Sequence, residues 1–307
     1  MTKSEQNIRN NLIRQLDSLK KHCNEKSYAT RERYYDACCR FCDFLAKHFR
    51  SQKFANIQRK HITAYVEHLQ DKGISPATIQ SDLAGIRFYH RHAGGKNKLP
   101  ENSELHLERR SVGVANRAWL PDEISKACRT AQDMKRNDVL LALRIGTDFG
   151  LRIHEIAKLR TEQITDAIKN EALTVKGKGG QVRAVPVETE GQKKLLDLLE
   201  GYVRAKKLMP GDYLISQNVK YGVKREIASL QNWLSNNGKK FADEKRAEKV
   251  GDGRKPRMKN LSWHGLRYYY AQQIFRLLTA KGVRNVDREI SRRLGHHRGE
   301  VTKIYLE

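Results

Sequence analysis

Between residues 28 and 48, "YATRERYYDACCRFCDFLAKH", the apolar positions Tyr34, Ala37, Cys38, Phe41, Phe44 and Leu45 fall three and four apart, the spacing that gathers side chains on one helix face. Thr30 is the expected cap. A second helix is predicted in "RKHITAYVEHLQDKG", where Ile62, Tyr65, Val66 and Leu69 share a face and Gly73 supplies the stop. The third, "SPATIQSDLAGIRFYHRHAGG", opens with Ser75 as cap and Pro76 in the first turn, where a missing N–H costs nothing, and turns Ile79, Leu83, Ile86 and Tyr89 inward. Successive amphipathic helices predict a small helical bundle over residues 1–93.

From Gly94 the periodicity dissolves into "GGKNKLPENSELHLERRSVGVANRA", rich in Gly and charge, which is the expected linker over residues 94–117. In the second domain, 118–307, "LPDEISKACRTAQ" and "RNDVLLALRIGTDFG" have helical spacing, the latter apolar on nearly all sides and therefore buried. The pattern then changes in "QITDAIKNEALTVKGKGGQVRAVPV", where short β-prone runs, an Asn-Glu turn and a Gly-rich turn predict a small antiparallel sheet. Helical spacing resumes in "GQKKLLDLLEGYVRAKK", "KREIASLQNWLSNN" and "WHGLRYYYAQQIFRLLTAK". Residues 237–260, "NGKKFADEKRAEKVGDGRKPRMKN", are almost without apolar content and are expected to form an exposed basic loop. The fold class is thus mainly α with a small antiparallel β-sheet, in two domains.

Charge sharpens this picture. Sixty Lys and Arg against 35 Asp and Glu give 307 residues a formal charge of +25, a self-repulsion that an anionic partner would offset. About +9 of it lies in residues 1–110 and about +16 in the remainder, so both halves are expected to face a polyanion, and nucleic acid comes first. No run of 18 apolar residues occurs, and "MTKSEQNIRNNLIRQL" lacks the apolar core of a signal peptide, so a soluble cytoplasmic protein without membrane contact is expected. Cys23, Cys38, Cys39, Cys42 and Cys128 lack zinc spacing and are expected to be reduced helix residues.

Three segments carry candidate chemistry. "GTDFGLRIHEIAKLR" sets Arg152 directly after the buried helix and Gly150, where a guanidinium needs an anion, either a ligand or Glu155. "WHGLRYYYAQQ" places His264 and Arg267 three apart at a helix start, on one face. "LTVKGKGGQVRAVPV" puts Lys178 at the tip of a glycine-rich β-turn. No glycine frame ending in Gly-Lys-Ser/Thr exists for ATP, and His264, His296 and His297 lack the neighbouring Asp, Cys or Glu-x-x-His spacing of a metal site, so no cofactor and no metal are expected. The end, "LGHHRGEVTKIYLE", is polar enough to fray unless something holds it.

Taken in order, "GLRIHEI", "GKGGQVRAVPV", "HGLRYYY" and "LGHHRGEVTKIY" resemble the tyrosine recombinase family, the phage-integrase and Xer-like DNA strand exchangers. The motifs cover residues 118–307, and the N-terminal bundle matches by architecture. The resemblance implies a helical, SAM-like core-binding domain and an α+β catalytic domain. It also implies six catalytic residues, Arg152, Lys178, His264, Arg267, His296 and Tyr305, with Glu155 orienting Arg152.

Cleaving a phosphodiester requires an in-line nucleophile, neutralisation of the non-bridging oxygens and a proton for the leaving oxygen. Arginines can clamp the phosphate bidentately, a histidine can act as base, and Lys178 can protonate the 5′-oxygen. Tyr305 as nucleophile would conserve the bond energy in a 3′-phosphotyrosine, so that rejoining needs no ATP. Double-stranded DNA at a specific site, a homo-tetramer on a Holliday junction, accessory DNA-bending or directionality proteins, a mobile element and association with the bacterial nucleoid belong to the same implication. His154 departs from the small polar residue common there, and only Leu306 and Glu307 follow Tyr305. A type IB topoisomerase would use a similar residue set, and a DNA-binding regulator with a degenerate site is the non-enzymatic alternative.

Overall fold

A computed structural model describes residues 1–108, 117–177, 180–216, 222–243, 261–295 and 305–306. Its internal contacts divide the chain into two compact units, Met1–Ser111 and Val112–Glu307.

The first unit is built from helices α1 (Lys3–His22), α2 (Tyr28–His48), α3 (Arg59–Asp71) and α4 (Pro76–His92). Helix α1 has only Ile8, Leu12 and Leu16 on its buried stripe, one residue wide in an otherwise polar run, and the hydrophobic pattern did not predict it. Its start is fixed instead by a capping box in which Thr2 and Glu5 bond each other's backbone N–H groups. The cap of α2 is Ser27, whose hydroxyl accepts from the Thr30 amide at 3.3 Å, so Thr30 is the residue being capped. In α3 and α4 the predicted apolar faces are the buried ones, and Ser75 and Pro76 stand where expected.

Phe41 joins Tyr65 and Phe54 in the aromatic centre of this core, with ring centroids 4.8 and 6.3 Å away. All five cysteines are free, with Cys23, Cys38 and Cys42 buried. Part of the expected linker belongs to this packing. Leu99 and Leu105 are buried, Asn97 donates to the Ile57 carbonyl at 3.0 Å, and Arg87 binds Pro100 and Asn102. Two isolated leucines in a polar stretch carry no periodicity, so the sequence pattern missed their burial.

The second unit contains α5 (Pro121–Asp133), α6 (Asn137–Phe149), α7 (Ile153–Ile156), α8 (Thr161–Asn170), α9 (Glu190–Ala205), α10 (Gly222–Asn237), α11 (Trp263–Ala280) and α12 (Val286–Leu294). Its strands β1 (Ala172–Lys176) and β2 (Val182–Pro186) pair antiparallel, from Ala172 opposite Pro186 to Lys176 opposite Val182. Residues 163–170, grouped with the sheet by sequence, are helical, and the chain leaves α8 through left-handed Glu171 at the predicted Asn-Glu turn. Helix α6 is the buried centre, packed against α5, α9 and α11.

The expected basic loop over 237–260 begins differently. Phe241 is buried between Trp119 and Trp233, at centroid separations of 5.8 and 5.7 Å, because a lone aromatic there completes the core. Residues 244–260 lie outside the described residues. Among the described residues no helix is long and apolar enough to cross a membrane.

Candidate active site

Four backbone features assemble the site. Helix α6 ends at Gly150, whose φ of 61° is left-handed, and a side chain there would also strike the Tyr270 ring. That sharp exit places Arg152 at the start of α7. Helix α11 begins at Ser262, whose hydroxyl accepts from the Gly265 amide, and its first turn is pinned where Trp119 Nε1 donates to the Ser262 carbonyl at 2.9 Å. That turn carries His264 and Arg267. The hairpin β1–β2 supplies Arg183, and the C-terminus of α12 lies beside it.

Glu155 is the ionic hub. Its side chain is fully buried; Arg183 donates to both carboxylate oxygens at 2.9 and 2.7 Å, Arg152 Nη1 donates at 3.0 Å, and the Arg152 amide at 2.8 Å. Burial alone would push the carboxyl up, but the Arg183 hydrogen bonds and charge bring it down to about 2. The Glu155–Arg152 pair expected from the sequence is therefore present, and Arg183 is a second, stronger partner that the motif spacing does not reveal. Its signal was available: "QVRAVPV" alternates so that one inward position carries a charge, which demands a partner.

Arg267 has no exposed surface; it donates through Nη1 to the Gly150 carbonyl at 2.8 Å and through Nη2 to the Leu294 carbonyl. Burial and the neighbouring Arg152 charge lower its pKa to about 10, leaving it cationic at neutral pH. Arg152 keeps a quarter of its side chain exposed and is the more open of the two guanidiniums. His154, beside it, is held below the ordinary histidine value by burial.

Tyr305 and His264 meet directly, the phenol oxygen 2.7 Å from His264 Nε2. The tyrosine ring is buried and stacks on Tyr268 at 4.1 Å, with Tyr268 and Tyr270 themselves packed in the core. The polar end was expected to fray unless something held it, and the aromatic stack holds Tyr305. Packing around the His264 ring lowers its pKa to about 4, and the charges of Arg267, Arg152 and Arg117 push the same way. Although the residue retains an exposed edge, the imidazole is neutral at pH 7 and able to accept a proton. The structure thus brings Arg152, Glu155, His264, Arg267 and Tyr305 into one region. Lys178 and His296 lie outside the described residues, as does His297. Among the described residues no three His, Cys, Asp or Glu side chains are grouped to hold a metal ion.

Residues 12–97 match the family model of the phage integrase N-terminal SAM-like domain. By sequence the chain is similar to the tyrosine recombinase XerC of Bradyrhizobium diazoefficiens, 26% identical over 175 residues, covering 52% of this chain and 53% of the relative. It is likewise similar to XerD of Oceanobacillus iheyensis, 24% identical over 155 residues, 48% of this chain and 50% of the relative. The matched region spans about half the length of these curated relatives. By structure it is similar to a lambda integrase fragment, residues 75–356, in a dimer bound to a COC′ core site, with a TM-score of 0.61, 16% identity, and 95% of this chain and 94% of that one covered. Residues 12–97 thus carry an integrase-type N-terminal domain, about half of the chain is similar in sequence to Xer tyrosine recombinases, and its fold is that of the lambda integrase fragment.

Proposed function

We propose that this protein is a site-specific DNA recombinase that cuts and rejoins strands through Tyr305. The observation that carries the proposal is the 2.7 Å contact between the Tyr305 hydroxyl and a His264 imidazole held neutral by the packing around its ring and, next, by neighbouring cations. In the step proposed, the Tyr305 oxygen attacks the scissile phosphorus and its proton passes to His264 Nε2. The P–O5′ bond breaks, and Lys178 protonates the departing oxygen, giving a 3′-phosphotyrosine and a free 5′-hydroxyl. Reversal with a new 5′-hydroxyl rejoins the strand, with no net change in bond count.

Arg152, partly open, meets a non-bridging oxygen. Arg267 joins the clamp by exchanging one of its two carbonyl partners for phosphate, and until then contributes its charge. His296 would add a hydrogen bond, a role that rests with that of Lys178 on the motif resemblance. The first unit would serve as the core-binding domain. Since lambda integrase has been seen as a tetramer bound to a Holliday junction, the same assembly is proposed for this chain.

The test uses a nicked suicide duplex built from DNA flanking the gene, incubated with the full chain and resolved on a denaturing gel. A slower, protease-sensitive protein–DNA band that disappears in Tyr305→Phe is expected. A band that persists in Tyr305→Phe assigns the nucleophile elsewhere.

A further inference from the structure

Arg183 does more in this structure than neutralise a buried carboxylate. Its Nη1 and Nη2 close on the two oxygens of Glu155, while its Nε donates to the Arg293 carbonyl at 2.8 Å. One planar group therefore joins α7, which carries Arg152, to the last turn of α12, after which the chain continues towards His296 and Tyr305. The adjacent Leu294 carbonyl is held by Arg267, so neighbouring carbonyls at the end of α12 are gripped by two arginines from different elements. Gly295 follows with a left-handed φ of 62°, and a Cβ there would lie 3.0 Å from Arg183 Cδ. Gly177, on the other side, approaches both Glu155 and Arg183 closely enough that its Cβ would lie 3.2 Å from the carboxylate.

We infer that Arg183 is a positioning residue that couples the two halves of the site, the phosphate-binding arginine on α7 and the nucleophile-bearing segment after α12. The inference rests on the strand-cleavage reading above. With 9% of its side chain exposed and all three guanidinium nitrogens committed to protein acceptors, Arg183 is not arranged as another phosphate contact. A lysine would retain the charge but cannot make the fork to Glu155 and the third bond together.

The test compares the full chain with Arg183→Lys, with Glu155→Gln and with the two combined. It measures duplex affinity, single-turnover formation of the covalent band, thermal stability, and hydrogen exchange across residues 288–295 and around Arg152. Displacing reacting groups by about 1 Å costs about 100-fold in rate, so a loss of that order in covalent-band formation is expected in Arg183→Lys, with duplex affinity unchanged. Exchange at the end of α12 should accelerate, and the double variant should lose less than the product of the single losses. A stable Arg183→Lys that cleaves at the wild-type rate overturns the inference. So does a loss of cleavage that only tracks a global fall in thermal stability, with no selective change at 288–295. If the wild-type chain forms no covalent band, the cleavage reading fails, and the exchange data alone decide the coupling: acceleration both at 288–295 and around Arg152 supports it, and no change refutes it.

Discussion

Replacing Glu155 by Gln preserves shape and removes one charge from a site where three donors from two arginines converge, together with the Arg152 amide. The carboxyl's fall from 4.5 to about 2 corresponds to about 3 kcal/mol of stability at neutral pH, at ~1.36 kcal/mol per pKa unit. Removing one partner of a buried ion pair costs a comparable ~3–5 kcal/mol, because the remaining cation is left uncompensated. Since the folded-state pKa is depressed, this stabilisation is complete above the unfolded value and is lost as pH falls from about 4.5 towards 2.

Equilibrium urea unfolding followed by tryptophan fluorescence measures the effect where it matters, because Trp119, Trp233 and Trp263 all lie in the second unit. The expected result is a loss of about 3 kcal/mol in Glu155→Gln at pH 7, shrinking by about 1 kcal/mol at pH 4. Equal stabilities at pH 7, or a difference that does not narrow on acidification, would refute the hub assignment.

Three further outcomes follow from neighbouring contacts. In an NMR titration His264 should deprotonate well below the ordinary histidine value of 6.5, near 4; its neutral form favours the fold above pH 6.5 and that support is lost as pH falls towards 4. A midpoint at or above 6.5 would remove the neutral-base role. Arg267→Lys retains the charge but cannot bond the Gly150 and Leu294 carbonyls in the same geometry, and should cost about 1–3 kcal/mol in urea unfolding together with a strong fall in cleavage. Phe241→Ala should cost about 3–5 kcal/mol, whereas an effect near zero would mean that this segment is an exposed loop after all.

Much of this protein was legible because its information is local. The faces of α2, α3 and α4 follow from apolar spacing, the Ser75–Pro76 start from cap chemistry, and the hairpin from its glycines. The order of Arg152, Lys178, His264, Arg267, His296 and Tyr305 is visible in the sequence because each motif is a few residues long, and the structure gathers Arg152, His264, Arg267 and Tyr305 in one region. Helix α1 escaped because three buried residues in twenty leave almost no periodic signal, although its Thr2–Glu5 cap was in plain view.

What the sequence determined by itself was therefore the helical class, the two-part division and the residue types at the site. Tertiary structure decided their partners: that Arg183 and not Arg152 is the main counter-ion of Glu155, that Arg267 holds the carbonyls of Gly150 and Leu294, and that Tyr305 is stacked on Tyr268 with its hydroxyl on His264. The reason is physical. Local spacing fixes which face a residue occupies, but hydrogen bonds, ion pairs and ring stacks join residues as far as 143 positions apart, as in Trp119–Ser262, and their energies depend on a burial that exists only once the units have folded.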